Sequence, residues 1–322
     1  MDNPLKEICQ ILKGEDDFLI ASHYHPDGDA LGSTAALGFI LKALGKRFRI
    51  YNQSGVPEAM KWFTLPSTML TEIPKGFDGW YIILDCGDAA RMGETLMNAM
   101  DPEKSINIDH HMGNSDFATI NWVDTNRPAV GEMITLIARE LKISLSGPIG
   151  EAIYLSIATD TGFFTYGNTK PETLEIVADI LRHGLQLDEY VPKIRNQWSM
   201  KRIKLWTIAL SKIELFHDDQ TAMIFVTQEM LTETDTGGPD CEGLVNFIRR
   251  IRNVRVAIVV REDTQHRFKF SLRSSGPDNV QVVASTFGGG GHRNASGGMI
   301  ENTSEYVRNR LTETLSEKLY NI

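Results

Sequence analysis

The feature that most constrains the fold is a short apolar run, residues 18–21, that leads into a turn rich in ionisable side chains. A continuous hydrophobic segment of this length is typical of a parallel strand buried on both faces. Beyond the turn, apolar residues recur at helical spacing as far as Gly45, a residue suited to end a helix. The pattern predicts a strand, a turn and a helix, with the turn where open α/β sheets place their ligands.

The turn itself carries His23, Asp27 and Asp29. Two carboxylates one residue apart cannot both be dry and charged unless a cation lies between them. The crowding therefore favours a metal site. From the residues alone, His25 in the same turn is an equally good candidate.

Strand and helix patterns alternate through the first part of the chain. Strands are predicted at residues 47–51, 80–84, 105–108 and 119–123, and helices at about 129–141 and 149–158. Alternation of this kind predicts an α/β domain, residues 1–187, with a parallel sheet and flanking helices.

The rest of the chain has a different pattern. Residues 188–212 read as a helical linker, and residues 213–322 as a smaller α+β domain with strands near 222–226, 254–260 and 268–272. A terminal helix is predicted from about residue 304 to residue 319. Two domains also agree with a length of 322 residues, which is long for one core.

Composition narrows the class and the compartment. The beginning of the chain lacks the basic and apolar regions of a signal peptide, and no apolar run reaches the length of a membrane span. The three cysteines form no CxxC pair, as expected of a reduced, cytoplasmic protein without a membrane partner. The net charge is −9, yet residues 241–300 are basic, which suits an anionic substrate bridged by cations. A chance distribution of surface charge explains the asymmetry equally well.

Acidic residues and histidines recur where buried apolar segments end. Asp85 follows residues 80–84, Asp109-His110-His111 follows residues 105–108, and Asp160 ends a predicted helix. Oxygen ligands with a minority of nitrogens suit Mn²⁺, with Mg²⁺ next, better than a thiolate zinc site. Any one of these aspartates, taken singly, could instead be a helix N-cap.

The motifs together resemble those of the DHH phosphoesterase superfamily. His23-x-x-x-Asp27-x-Asp29, the isolated Asp85, Asp109-His110-His111 and Asp160 within Ala-Thr-Asp-Thr-Gly match its four motifs in order. The glycine-rich stretch at residues 287–297 resembles the signature of the DHHA1 domain. The chain is most similar to the nanoRNase/pAp-phosphatase branch of this RecJ-related superfamily.

The resemblance implies two Mn²⁺ ions, or Mg²⁺, that share one carboxylate. Its metal ligands would be His23, Asp27 and Asp85 for one ion, and Asp29, Asp85, His110 and Asp160 for the other.

The resemblance also assigns catalytic roles. Beside the bridging Asp85, Asp109 would orient a metal-ligating imidazole, as such carboxylates usually do. His111 would face the substrate phosphate or the leaving group, and a histidine can donate a proton near neutral pH. In the hydrolysis that the resemblance implies, a hydroxide held between the two ions would attack phosphorus.

Substrate contacts are expected in the second domain. By resemblance, a phosphate or the nucleoside end would be held by Arg273, Ser274, Gly290, Gly291 and His292. Four consecutive glycines, residues 288–291, are expected to form a concave nest of backbone N–H groups for an anion. The alternatives are an ordinary exposed arginine at a strand end and a flexible glycine turn.

These features predict a two-metal phosphoesterase. Its expected substrates are very short oligoribonucleotides, of about two to five nucleotides, and 3′-phosphoadenosine 5′-phosphate, which implies binding of short RNA but not of long duplexes. Cleavage of cyclic or linear di-adenylates is an alternative, and a non-catalytic nucleotide-binding regulator is an alternative of another class. A homodimer is possible.

Overall fold

The computed structural model describes residues 3–320, which form two compact units. The first unit ends at Gln197 and the second begins at Trp198. The first contains an α/β fold and the second a mixed sheet with helices, so the predicted fold class is confirmed.

The first unit is built on a six-stranded sheet with the order β3-β2-β1-β4-β5-β6, in which every neighbouring pair is parallel. Its elements are α1 (Pro4–Gly14), β1 (Asp17–Ser22), α2 (Gly28–Ala43), β2 (Arg47–Tyr51), β3 (Met69–Leu70), β4 (Trp80–Leu84), α3 (Glu94–Ala99), β5 (Ser105–Asp109), β6 (Ile120–Val123), α4 (Val130–Glu140), α5 (Pro148–Asp160), α6 (Pro171–Arg182) and α7 (Leu187–Arg195).

Helix α2 is buried along nearly its whole length, because it packs against both α4 and α5. Small residues allow this close packing. An added Cβ at Gly32 would lie 2.6 Å from the carbonyl oxygen of Ala152 in α5. Interdigitated helices of this kind hold both of their ends rigidly, which matters because the predicted ligands lie there.

The second unit contains a mixed six-stranded sheet, with the order β11-β12-β10-β9-β8-β7. Only the pair β8–β9 is parallel among the strands of this sheet that the structure describes. Its elements are α8 (Met200–Leu210), β7 (Glu214–Phe216), β8 (Thr221–Val226), α9 (Gln228–Thr234), α10 (Leu244–Ile248), β9 (Val256–Thr264), β10 (Arg267–Ser274), α11 (Gln281–Thr286), β11 (Gly290–His292), β12 (Ala295–Glu301) and α12 (Ser304–Leu315).

The predicted linker, residues 188–212, is divided between the two units. Tyr190 of α7 is buried in the core of the first unit, whereas Leu205 and Trp206 of α8 are buried in a core of the second. Among residues 3–320, no helix has both the length and the apolar character that crossing a bilayer requires.

Candidate metal centre

The predicted ligands gather at the carboxyl edge of the first sheet. Strands β1 and β4 are neighbours there. The strand that follows β1 in the chain lies towards one edge of the sheet, and the strand that follows β4 lies towards the other edge. His23 follows β1, Asp85 follows β4 and Asp109 ends the adjacent β5. Such a switch point in strand order opens a crevice between the loops, and parallel sheets bind ligands in it.

One group of side chains surrounds the ring of His23. Its Nε2 lies 3.4 Å from Oδ2 of Asp85 and 3.9 Å from Oδ1 of Asp27. Its Nδ1 lies 2.9 Å from the carbonyl oxygen of Tyr24, which can only accept, so Nδ1 carries a proton and Nε2 faces the carboxylates. Asp27 also caps α2 by accepting from the N–H of Asp29 at 3.0 Å. The cap and the predicted ligand are therefore the same side chain.

A second group surrounds the ring of His110. Its Nε2 lies 3.4 Å from Oδ2 of Asp160 and 3.6 Å from Oδ2 of Asp29. The same nitrogen lies 3.5 Å from Oδ1 of Asp85. The ring is oriented by Nδ1, which donates to the carbonyl oxygen of Arg127 at 3.0 Å.

Asp29 is completely buried and held from three sides. Its Oδ1 accepts from the hydroxyl of Ser156 at 2.5 Å and from the N–H of Gly131 at 3.3 Å. Its Oδ2 accepts from the N–H of Val130 at 2.8 Å. These bonds fix the carboxylate so that Oδ2 faces His110.

The donor atoms fit divalent cations. Asp85 presents one oxygen to each group, and its buried Oδ1 has no hydrogen-bond partner within residues 3–320. When an imidazole is neutral and the carboxylate that it faces is ionised, both atoms are acceptors, so a shared cation would hold them at the observed 3.4–3.6 Å. Atoms bound to one ion at about 2.0–2.2 Å are separated by about 3–3.6 Å, which agrees with this spacing.

Burial and neighbouring charges shift the pKa of several side chains in the cluster. Burial disfavours a charged imidazole at His23 and His110, but the surrounding carboxylates outweigh burial and raise the pKa of each ring to about 10. Burial raises the pKa of Asp160 to about 7 and the pKa of Asp29 well above its usual range. Burial would also raise the pKa of Asp85, but His110 and His23 hold it below its usual range. A cation that binds these side chains would therefore compete with protons.

Asp109 contacts the imidazole of His111. Its Oδ1 accepts from Nδ1 of His111 at 2.8 Å, and its Oδ2 accepts from the side-chain amide of Asn114 at 2.6 Å. The predicted ligand His110 turns towards Arg127 instead, and the ring that Asp109 orients, His111, belongs with Asp85 and His110 to a group that could hold a metal ion. His111 lies 3.5 Å from Oδ1 of Asp85 and is partly exposed.

The predicted substrate residues fall on both faces of the second sheet. In the strand register Arg273 is opposite Ala295, and Ala295 is opposite His292. Directly paired residues point to the same face, so Arg273 and His292 share one face. Ser274 lies on the other face, where it is buried and its hydroxyl donates to the carbonyl oxygen of Asp278 at 2.7 Å.

Strand alternation identifies residues that our sequence reasoning missed. Lys269 and Ser271 lie on the face of Arg273, because side chains of a strand alternate with a period of two. Together with Arg261 they line a cavity of about 310 Å³ within the second unit. The alternating pattern of residues 267–274 was the signal that could have located them.

The glycine stretch is a turn followed by a strand, not the expected nest. The N–H of Gly289 donates to the carbonyl oxygen of Ala284, and Gly290 and Gly291 pair with β12. Glycine is required at residue 289 because an added Cβ would lie 2.2 Å from the carbonyl oxygen of Gly297.

Comparison with known proteins agrees with this architecture. A sequence model of the DHH family's N-terminal domain matches residues 17–157, and one of the DHHA1 domain matches residues 222–321. The crystal structure of an exopolyphosphatase-related protein from Bacteroides fragilis superimposes with a TM-score of 0.89 at 30% identity, covering 98% of this chain and 96% of that one. This chain belongs to the DHH family.

Curated relatives of this family member match it over nearly their whole length. A protein of Thermus thermophilus, named bifunctional oligoribonuclease and PAP phosphatase NrnA, is 28% identical over 98% of this chain and 94% of its own. A protein of the same name from Bacillus subtilis is 27% identical over 94% of this chain and 95% of its own. Divalent-metal use is implied by the family, and the donor groups described above suit it.

Proposed function

We propose that this protein is a Mn²⁺-dependent phosphoesterase that hydrolyses very short oligoribonucleotides and removes the 3′-phosphate of 3′-phosphoadenosine 5′-phosphate. The observation that carries the proposal is the pair of donor groups that share Asp85, one oxygen to each. The names of the full-length relatives supply the substrate class.

Two sets of side chains, which share Asp85, would bind the two ions. His23, Asp27 and Asp85 would bind one, and Asp29, Asp85, His110 and Asp160 the other. When bound, divalent ions lower the pKa of water towards neutrality and offset the negative charge of a phosphate ester. Such chemistry needs fixed carboxylates, and Asp29 is fixed by three hydrogen bonds.

His111 would supply the proton that the departing oxygen needs. Asp109 accepts from Nδ1 of this ring, which leaves Nε2 as the nitrogen available to the substrate. A water oxygen would form the new bond to phosphorus while the P–O bond to the leaving group breaks, and the electron pair of the broken bond stays on the leaving oxygen. That oxygen would take the proton from Nε2 of a doubly protonated His111, which leaves the ring neutral. Arg273, with Lys269 and Ser271 on the same face, would bind phosphate groups of the substrate.

The test is turnover of 3′-phosphoadenosine 5′-phosphate, of the dinucleotide pApA and of a five-nucleotide RNA with MnCl₂. Asp85→Asn is the informative variant, because Asn also tolerates the left-handed backbone of this residue, φ 54°. We expect kcat/KM to fall by roughly 10³-fold.

Asp116→Asn is the matched control, since Asp116 is exposed and has a similar backbone, φ 49°. Turnover by Asp85→Asn at the wild-type rate would contradict the two-metal proposal. Binding of all three substrates by the wild type without turnover would indicate a regulator instead. A preference for linear or cyclic di-adenylate would redirect the substrate assignment.

A further inference from the structure

The loop between β6 and α4 contacts the ring of a proposed metal ligand, His110. The main-chain carbonyl of Arg127 in this loop accepts from Nδ1 of His110 at 3.0 Å. Directly after the loop, the N–H groups of Val130 and Gly131 hold Asp29 at 2.8 and 3.3 Å. Residues 124–132, which we call the α4 entry segment, thus support two proposed ligands of the same ion.

The other proposed ion has different supports. The ring of His23 is oriented by the carbonyl of the next residue, Tyr24, at 2.9 Å. Asp27 accepts from the first N–H groups of α2. These contacts are local to the turn after β1, so disturbing the α4 entry segment leaves them in place.

The side chain of Arg127 fixes the position of its own carbonyl. Its Nε donates to Oδ2 of Asp124 at 3.1 Å, and its N–H donates to the carbonyl of the same residue at 3.0 Å. Its guanidinium also reaches Oε2 of Glu132, at 3.4 Å. One arginine thereby closes a turn at the start of the segment and ties it to the first turn of α4.

Glu132 is a buried acidic residue whose ion-pair partner is Arg127. It is 1% exposed on a helix whose neighbouring residues are mostly apolar, and its Oε1 has no hydrogen-bond partner among residues 3–320. A buried carboxylate is costly unless it is paired, and Arg127 is the partner that the contacts provide.

We propose that Arg127 is a positioning residue that orients His110 for one metal ion and not for the other. Partners that orient a ligating histidine fix its tautomer and its ring direction, and their loss typically weakens metal binding about 10–100-fold. The inference rests on the proposed function, since it assumes that two ions bind.

The experiment is calorimetric titration of the full-length, metal-free protein with MnCl₂. In Arg127→Ala we expect one of two binding steps to weaken by about 10–100-fold while the other keeps its wild-type affinity. Arg127→Lys should be intermediate, because an ammonium group pairs as a point charge and cannot span both carboxylates. Electron paramagnetic resonance should show isolated Mn²⁺ in Arg127→Ala at concentrations that give a coupled pair in the wild type.

Two further variants keep the test decisive. Arg127→Leu combined with Glu132→Gln leaves no unpaired buried carboxylate and should show the same selective loss if the single variant fails to fold. Arg139 lies further along α4 and forms an exposed ion pair with Asp179 of α6. Arg139→Ala removes that pair and should bind both ions normally.

The outcomes separate the two proposals. A wild-type protein that binds fewer than two Mn²⁺ ions would overturn the proposed function. Two normal steps in the wild type, with both steps unchanged or both equally weakened in the Arg127 variants, would overturn the positioning role alone. A loss in Arg139→Ala as large as in Arg127→Ala would overturn it as well.

Discussion

At the scale of single residues, the backbone at Asp85 explains how one carboxylate reaches two groups of donors. Its φ of 54° lies in the left-handed region, which aspartate tolerates better than most residues. The chain turns sharply at the end of β4, and the carboxylate points back over the sheet edge with Oδ2 towards His23 and Oδ1 towards His110. A β-branched residue would be strained here before any ligand was considered.

His111 gives a residue-scale prediction about the leaving group. If Nε2 of His111 donates the proton, His111→Ala should lower kcat by about 10²-fold on pApA, whose leaving oxygen is a poor leaving group. The loss should nearly vanish on a p-nitrophenyl nucleotide ester, because p-nitrophenolate needs no proton. Steady-state kcat values on the two substrates measure the difference.

Asn114→Ala serves as the companion variant for that experiment. It removes a 2.6 Å hydrogen bond to Asp109, so it should reproduce a smaller part of the same substrate-dependent loss. Equal losses of kcat on both substrates would contradict proton donation by His111.

At the scale of secondary-structure elements, the metal ligands depend on close packing of α2, α4 and α5. Gly32 of α2 faces Ser156 of α5, and an added Cβ would lie 2.7 Å from its backbone nitrogen. The hydroxyl of the same Ser156 donates to Asp29. Separating the two helices would therefore disturb the core and the carboxylate together.

Substitution of Gly32 tests this dependence. Alanine favours a helix by about 1 kcal/mol over glycine, but here it would meet backbone atoms of α5, and overpacking of this kind costs about 1–3 kcal/mol. We expect Gly32→Ala to lower the free energy of unfolding and to weaken Mn²⁺ binding, measured by urea titration and calorimetry. Gly14→Ala, at the open end of α1, should lower neither the free energy of unfolding nor the affinity for Mn²⁺. A Gly32→Ala protein as stable as the wild type would contradict the packing argument.

The elements also indicate how much of the fold the sequence could predict. Buried parallel strands such as β1 and β4 are continuous apolar runs, which the order of residues in the sequence reveals directly. Strands β3 and β11, with two and three residues, are too short for any periodicity and exist because a neighbouring strand offers hydrogen bonds. The interpretation of residues 288–291 as a nest was wrong for that reason.

The same limit applies to the candidate site. The motif residues could be found because each stands at the end of an apolar run, where the topology brings strand ends together. Their supporting contacts could not be found. His110 is oriented by a carbonyl 17 residues away, and that pairing depends on the path of a loop. Ser271, in contrast, could have been preferred to Ser274 by strand alternation alone.

At the scale of the whole molecule, the proposed functions are divided between units with separate cores. Every proposed metal ligand belongs to the first unit, which ends at Gln197, whereas Arg273 and His292 belong to the second. Units with their own hydrophobic cores commonly unfold as separate cooperative transitions. A ligand that binds one native unit stabilises that unit alone.

Differential scanning calorimetry of the full-length protein tests this division. We expect two transitions, and MnCl₂ should raise the midpoint temperature of only one of them. The free energy of unfolding of that unit should increase by about 2.7 kcal/mol when Mn²⁺ is at 100 times its dissociation constant. The effect should grow with pH, because Mn²⁺ must displace protons from His23 and His110. Burial alone would lower the pKa of these two rings, but the neighbouring carboxylates raise it to about 10. Asp85→Asn should remove the shift, and Asp116→Asn should retain it. A metal-induced shift of both transitions, or one that shrinks as the pH rises, would contradict the assignment of the ions to the first unit and to these imidazoles.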